Sequence, residues 1–216
     1  MRCIKFLLVK VALVLQILGD IVLWEYRYSY SAREFLDITI SWLIATIAFS
    51  FRYILVGDLY RLFINSIAVF LGFVLHELAH RWTARRYGCI AFYRAWYLGL
   101  LIALIVAIAS RGVFVFIAPG AVMIYSPWLS PSLEASIALS GPYANIAIAL
   151  ISMILVVITN RIEMKIITDI NIWLALFNLL PIPPLDGYKA LRGSIIRWII
   201  AFAIAIALMI ISTRFF

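Results

Sequence analysis

The chain has 216 residues, of which 66% are hydrophobic and 13% are charged, and its mean hydropathy is +1.10. Soluble domains are roughly 45–50% apolar and about 25% charged, so this composition indicates an integral membrane protein and leaves little chain for a soluble domain. The net charge of +8 comes from lysines and arginines scattered over short loops, where anionic lipid headgroups are the natural partner, so we do not expect nucleic-acid binding.

Six apolar runs are candidate transmembrane helices, because a helix needs about 20 residues to cross the hydrocarbon core. In chain order they are 4–24, 38–57, 62–82, 133–159, 166–180 and 195–212. The first run resembles a signal peptide, but Lys10 interrupts it and no cleavage site is convincing, so we expect a retained helix. A seventh run, 95–110, is short for a full span and either re-enters the membrane or is returned by the segment that follows it.

Strand-forming residues follow that seventh run. β-branched and aromatic residues lie on both sides of the Pro119-Gly120 turn within residues 112–125, a pattern that predicts a β-hairpin rather than a helix. Strands at membrane depth are tolerated only where protein or a water-filled cavity covers their backbone, so we expect the hairpin to lie against the helices.

The predicted fold is therefore an all-α polytopic membrane protein with about six transmembrane helices and a short membrane-associated β-hairpin near 112–125. No internal repeat or linker divides the chain, so we expect one domain over 1–216. Its parts are a core at 62–191 and peripheral helices at 4–24, 38–57 and 195–212.

Both histidines of the chain lie within residues 76–80, which read His-Glu-Leu-Ala-His inside an apolar run. Side chains at i and i+4 share one helix face, so His76 and His80 can bind one zinc ion, and Glu77 can take a proton from water at the metal. A plainer interpretation makes the histidines ordinary core residues, but it leaves Glu77 poorly solvated in an apolar helix. The motif therefore favours a zinc hydrolase that works within a membrane.

A catalytic zinc site takes three protein ligands and leaves one position for water. With no other histidine, and with Cys3 and Cys89 far apart in the sequence, the third ligand is expected to be a carboxylate. Asp186 stands out because three prolines within 181–184 break the helix before it and free backbone groups to line a polar cavity. The same residue could instead be an ordinary turn residue before Gly187.

The sequence resembles the site-2 protease family of intramembrane zinc metalloproteases, through three motifs that stand in the family's order. They are His-Glu-Leu-Ala-His at 76–80, Gly-Pro-Tyr-Ala-Asn at 141–145, and Asn-Leu-Leu-Pro at 178–181 with Leu-Asp-Gly at 185–187. Each motif is weak alone, but the three in order are specific. The strand-like segment 113–125 resembles the family's membrane-associated β region, whereas the apolar insertion 95–110 departs from the simplest family pattern.

The resemblance implies that His76, His80 and Asp186 bind Zn²⁺ and that Glu77 activates the water. The implied activity is that of a zinc metalloendopeptidase. It would hydrolyse peptide bonds within or beside the transmembrane segments of membrane-protein substrates, and its partners would be those substrates and the lipid bilayer.

The resemblance also implies that Asn178 and Asn145 orient the substrate backbone or stabilise the oxyanion. Asn145 could instead form a hydrogen bond between helices, and Gly141 and Pro142 could simply kink a helix. Asn171 is expected near the outer membrane interface.

Basic residues beside the motifs predict their orientation. Four arginines follow the histidines within 81–94, and Lys189 and two arginines follow Asp186 within 189–197. Positively charged residues are enriched on the cytoplasmic side of membrane proteins, so both span ends are expected there. The sequence thus predicts a multi-pass protein of the cell membrane with its active site toward the cytoplasm.

Two other classes of function remain open. A zinc-binding membrane protein without hydrolysis, such as a transporter or sensor, would need paired ligands along a path and usually repeat symmetry, and neither is visible. Another type of zinc peptidase would use a glutamate as third ligand, but Glu134 and Glu163 both lie outside any second motif.

Overall fold

The structure is a computed structural model that describes residues 32–115 and 119–215. It is mostly helical, with one two-stranded sheet among these residues. The helices are α1 (Ala32–Leu55), α2 (Leu59–Arg86), α3 (Tyr97–Ala109), α4 (Pro131–Thr159), α5 (Ile162–Asn178), α6 (Asp186–Gly193) and α7 (Ile195–Phe215). The strands are β1 (Ile90–Ala95) and β2 (Gly120–Tyr125).

Four of the described helices, α1, α2, α4 and α7, are long and apolar enough to cross a membrane. They confirm that the runs 38–57, 62–82, 133–159 and 195–212 are helical. The run 166–180 is also helical, as α5, but this helix has 17 residues, which is short for the about 20 that a crossing needs. The run 4–24 lies outside the described residues. Within residues 32–115 and 119–215 there are therefore four helices of spanning length, where the sequence predicts five of its six spans.

The sheet is not the predicted hairpin at 112–125. Strand β2 pairs antiparallel with β1, from Ala95 opposite Gly120 to Ile90 opposite Tyr125. Residues 112–115 do not form a strand, because the end of α3 turns through Arg111 and Gly112, whose φ angles are 54° and 77°; residues 116–118 lie outside the description. The strand-like pattern after Pro119 is thus correct, but its partner lies much earlier in the chain.

Helix α3 connects the two strands. The chain leaves the sheet after β1 and returns at β2, and the Trp96 amide donates a hydrogen bond of 2.9 Å to the Pro119 carbonyl. The start of α3 and the residue just before β2 therefore lie side by side at one end of the sheet. The apolar run 95–110 therefore forms a helix between the two paired strands, and its path relative to a membrane stays a prediction.

The sheet is anchored to α1 by buried polar groups. The Tyr93 hydroxyl donates to Ser41 Oγ at 2.9 Å, and the Tyr93 amide donates to Glu34 Oε1 at 2.9 Å. Glu34 also pairs with Arg81 of α2 at 3.2 Å, and Arg94 lies 3.6 Å from the Asp37 carboxylate. Buried charges are stable only when they are paired. The acidic end of α1 therefore holds the sheet beside α2.

The main core lies among α4, α5, α6 and α7, where small residues bring helix backbones together. Its fully buried alanines are Ala149, Ala175, Ala190, Ala201 and Ala205. Small side chains allow the close helix approach that is typical of membrane bundles. Helix α4 contacts both α2 and α6, so the histidine motif and Asp186 are held against the same helix.

We expect Tyr93→Phe to lower the free energy of unfolding by about 1 kcal/mol, because it leaves Ser41 without the hydrogen bond of the phenol. Unfolding in mixed micelles by denaturant titration measures the change. Tyr125→Phe, on the exposed side of the paired strand, is the matched control and should change stability much less. Equal stability of the two variants would contradict the proposed anchoring of the sheet by Tyr93.

Candidate metal centre

Helix α2 presents both histidines on one face. A π-helical turn, Phe70–Val74, precedes them, and the helix then continues in α geometry through Arg86. The two Nε2 atoms of His76 and His80 lie 3.0 Å apart, and both side chains are buried. The predicted i, i+4 pairing is therefore present, with the coordinating nitrogens directed at a common point.

Asp186 reaches this point from the break between helices α5 and α6. It is the first residue of α6, after the proline-rich segment that follows α5. Its Oδ2 atom lies 3.1 Å from His76 Nε2 and 2.9 Å from His80 Nε2. A Cβ atom at Gly187 would collide with the Leu179 carbonyl group. The glycine therefore lets the break close tightly enough to place the Asp186 carboxylate beside the histidines.

The other ring nitrogens show which atoms are free to bind a metal. His80 Nδ1 lies 2.8 Å from the Ile137 carbonyl, and His76 Nδ1 lies 2.5 Å from Asn145 Oδ1. Both partners are acceptors, so each Nδ1 carries the proton and each Nε2 presents a lone pair. Two lone pairs and a carboxylate oxygen that meet without a cation would repel one another.

A zinc ion fits this arrangement of donors. Ligand atoms of a tetrahedral zinc site lie about 3.3 Å apart, which follows from bond lengths of about 2.0–2.2 Å. The three atoms here are separated by 2.9 to 3.1 Å. Two imidazoles and one carboxylate form a ligand set that is typical of catalytic zinc with an open fourth position. In the described part of the chain, these residues form the cluster that could hold a metal ion.

Glu77 lies next to the first histidine and is also buried. Its Oε2 atom has no hydrogen-bond partner among the described residues. A buried carboxylate oxygen without a partner is costly, which argues against a purely structural role. Glu77 lines the same cavity as the two histidines and Asp186, as expected of a group that acts on a reactant there.

The cavity beside the centre has a volume of about 340 Å³. Apolar side chains of α1 and α5, among them Phe49 and Phe177, form part of its wall, and residues of β2 form another part. Asn178 also lines it, with its amide nitrogen donating to the Leu174 carbonyl at 3.0 Å. The structure thus places Asn178 in the wall of the cavity beside the centre.

Asn145 is placed differently. It is 0% exposed and lies behind His76, so its amide faces the histidine and neighbouring helices rather than the cavity. Its amide nitrogen donates to the Gly72 carbonyl at 2.7 Å and to Asn171 Oδ1 at 3.1 Å. Asn171 is also 0% exposed, so it lies inside the helix bundle; its predicted depth near the outer interface stays a prediction.

Gly141 has a role that the sequence did not reveal. A Cβ atom at this position would lie 2.6 Å from His76 Nε2, and closer still to His80 Nε2. The glycine of the Gly-Pro-Tyr-Ala-Asn motif therefore leaves the space that the ligand atoms occupy. The Gly-Pro-Tyr-Ala-Asn motif was the available signal for this role. Without knowledge of the contact between α4 and α2, however, its glycine and proline were equally consistent with a helix kink.

The glutamates considered as third ligands lie elsewhere. Glu134 lines the cavity but is not part of the metal cluster, and Glu163 accepts a hydrogen bond from Tyr60. Lys189, one turn after Asp186, has its ammonium group 3.9 Å from Asp186 Oδ1. Asp186 is therefore the carboxylate that the fold brings to the histidines.

A buried His₂Asp set with an adjacent unpaired glutamate defines the class of zinc hydrolases, and two similar proteins give the family. Over 178 residues the chain is 42% identical to "Putative zinc metalloprotease MJ0611" of Methanocaldococcus jannaschii, covering 80% of this chain and 91% of that protein. Over 148 residues it is 26% identical to "Putative zinc metalloprotease YwhC" of Bacillus subtilis, covering 58% of this chain and 66% of that protein.

No family model matches the chain, and no solved structure matches it. The extent and identity of the archaeal match nevertheless show that the chain belongs to a family of zinc metalloproteases. Its cofactor is Zn²⁺, and His76, His80 and Asp186 lie close enough together to hold the ion.

Asp186→Asn should weaken zinc binding by more than about 10-fold, because a neutral amide is a poorer zinc ligand than a carboxylate. Competition with a coloured chelator measures the affinity. Glu134→Gln is the matched control, since it removes a carboxylate from the same cavity and should leave zinc affinity unchanged. Normal zinc binding by Asp186→Asn would show that the third ligand is another group.

Proposed function

We propose that this protein is an intramembrane zinc metalloprotease of the site-2 type, which hydrolyses peptide bonds within or beside the transmembrane segments of other membrane proteins. The observation that carries this proposal is a buried metal centre on α2, a helix long and apolar enough to cross a membrane. Ionisable groups at membrane depth are costly and are kept for function. A protease centre in that position points to substrates that are themselves in the membrane.

The exposed surface of the helices agrees with this environment. The outward faces of α4 and α7 carry large apolar side chains such as Ile151, Val157, Ile196 and Ile210. Such faces would be unfavourable in water but are well solvated by lipid. The polar groups of the centre are instead enclosed among α2, α4 and α6. We therefore place the reaction within a multi-pass membrane domain.

The proposed chemistry uses few groups. Zinc, when bound, would supply Lewis acidity for the scissile carbonyl and lower the pKa of a water toward ~7. Glu77 is the proton carrier: its unpartnered Oε2 accepts a proton from the attacking water and delivers it to the leaving amine. Asn178, which lines the cavity, is positioned to donate a hydrogen bond to the substrate backbone or to the oxyanion.

A helical substrate must be locally extended before it can be cut, because a helix hides its backbone groups in internal hydrogen bonds. Residues Gly120 to Ile124 of β2 line the cavity, while β1 pairs with one edge of this strand. An extended segment can add to the other edge through main-chain hydrogen bonds, which do not depend on its sequence. We infer that β2 holds the substrate beside the metal centre.

Glu77→Gln should lower turnover by at least about 100-fold while zinc stays bound, since the amide cannot carry the proton. The assay uses purified protein in liposomes with a panel of single-span substrates, with and without a chelator. Bound zinc is measured on the same preparation. Glu163→Gln, the same change on α5 where the side chain bonds Tyr60, is the matched control and should cleave normally.

Two results would count against this proposal. Normal turnover by Glu77→Gln would remove the glutamate from the reaction. If zinc-loaded wild-type protein cleaves none of the single-span substrates, the non-proteolytic alternative, a zinc transporter or sensor, becomes the better account.

The centre is further proposed to open toward the cytoplasm. Both His80 and Asp186 are followed by basic residues, and both lie near helix ends at the same depth because their ligand atoms meet. Single cysteines at Thr83 and Tyr188, in a background without Cys3 and Cys89, should react with impermeant thiol reagents only in inside-out vesicles. A cysteine at Asn160 should react only from the opposite face.

Labelling of positions 83 and 188 from the external face only would reverse the proposed orientation. Labelling of the two positions from opposite faces would contradict the placement of both ligand-bearing ends at one depth.

A further inference from the structure

A chain of buried side-chain amides leads from α5 through α4 to the first histidine. His76 Nδ1 contacts Asn145 Oδ1 at 2.5 Å, and Asn145 Nδ2 contacts Asn171 Oδ1 at 3.1 Å. Asn171 Nδ2 in turn donates to the backbone carbonyl of Ile167 at 2.8 Å. Both asparagines are 0% exposed, so neither can be reached by solvent or by substrate in the cavity.

The direction of every bond in this chain follows from two backbone carbonyls. The Ile167 carbonyl accepts only, so Asn171 must turn its NH₂ group toward it and its oxygen toward Asn145. Asn145 then meets two acceptors, Asn171 Oδ1 and the Gly72 carbonyl at 2.7 Å, and must present its own NH₂ group to both. Its oxygen is left facing His76, whose Nδ1 must therefore carry the proton.

We propose that Asn145 and Asn171 are positioning residues for zinc, which lock His76 in the tautomer whose Nε2 lone pair points at the metal. Protonation of Nδ1 leaves Nε2 free to coordinate, and a fixed ring orientation raises affinity because less freedom is lost on binding. This role differs from the substrate contact that the family resemblance implies for Asn145. The proposal also makes Asn171 part of the zinc site, although its helix, α5, supplies no zinc ligand.

The two histidines are oriented by different means. His80 donates from Nδ1 to the Ile137 backbone carbonyl, which is part of α4 itself. His76 relies on a side chain, which could rotate if nothing held it. Asn171 and the Gly72 carbonyl supply that restraint from two other directions. The orientation of His76 therefore depends on two asparagines that can be substituted, whereas His80 has a backbone carbonyl at 2.8 Å and, more distant, the Ser140 hydroxyl at 3.4 Å.

The packing behind His76 shows that the approach of α5 is part of this arrangement. Gly72 lies in the π-helical turn that precedes the histidine. A Cβ atom there would lie 2.6 Å from Leu174 Cδ1 and 3.1 Å from Asn171 Oδ1. The glycine therefore lets α5 come close enough for Asn171 to reach Asn145. π-Helical turns are often found at functional sites. In this one, the Gly72 carbonyl orients the Asn145 side chain, which contacts His76.

This inference concerns zinc binding and does not depend on where the enzyme cuts. The test compares Asn145→Ala and Asn171→Ala with Thr168→Val. Thr168 lies one turn before Asn171 on α5 and bonds Ser152 of α4 at 2.8 Å. The control therefore removes a buried hydrogen bond between the same two helices without touching the histidine.

Zinc affinity is measured by chelator competition in micelles, without substrate. We expect Asn145→Ala to weaken zinc binding by about 10–100-fold, the usual effect of removing a partner of a ligating histidine. Asn171→Ala should weaken it less but in the same direction, and Thr168→Val should leave it unchanged. In metal-free protein, ¹⁵N NMR should report an Nδ1-protonated His76 in the wild type and a mixture of tautomers in Asn145→Ala.

The proposal is overturned if both asparagine variants bind zinc within about twofold of the Thr168→Val control, or if the His76 tautomer is unchanged in Asn145→Ala. Should Asn145→Ala fail to fold, Asn171→Ala decides alone, because it leaves His76, Asn145 and Gly72 in place. Cleavage is not part of these measurements, so a failure of the proposed intramembrane activity would not alter their outcome.

Discussion

A polar metal centre can exist inside an apolar helix bundle only if every polar atom around it has a partner within the protein. Here the outer nitrogen of each histidine has such a partner, the Ile137 carbonyl for His80 and the Asn145 amide for His76. The inner nitrogens and the Asp186 carboxylate face one another. Only the reactive side of the centre, with Glu77, is left with unused hydrogen-bonding capacity. The rest of the fold must therefore supply hydrogen-bond partners for the buried polar atoms of the zinc site.

That requirement governs how closely the helices pack. Three glycines face the centre or its supports: Gly141 against the two histidines, Gly187 against the Leu179 carbonyl, and Gly72 against Asn171. Each belongs to a different helix, and in each case a methyl group would occupy space already filled by other atoms: ligand nitrogens at Gly141, backbone at Gly187 and side chains of α5 at Gly72. These positions therefore set how closely α2, α4, α5 and α6 approach one another.

The ionic and hydrogen-bonding contacts of α1 fix the position of the sheet. Glu34 joins Arg81, just after the second histidine, to the backbone of β1, and Tyr93 connects that strand to Ser41. Strand β2, the partner of β1, then forms a wall of the cavity. The position of the strand that we propose holds the substrate is thus determined by buried charges on a helix that contributes no metal ligand.

By itself the sequence determined most of the helices, the helix face shared by His76 and His80, and Asp186 as a candidate third ligand, because apolar length, i, i+4 spacing and proline breaks are local patterns. It could not determine the partner of β2, which is β1, or the burial of Asn171 beside Asn145. Strand pairing and contacts between helices join residues far apart in the chain, and a local pattern carries no information about which distant segment meets it. Those features were decided only by tertiary structure, in which the sheet packs against α1 and α2 and α5 packs against α4.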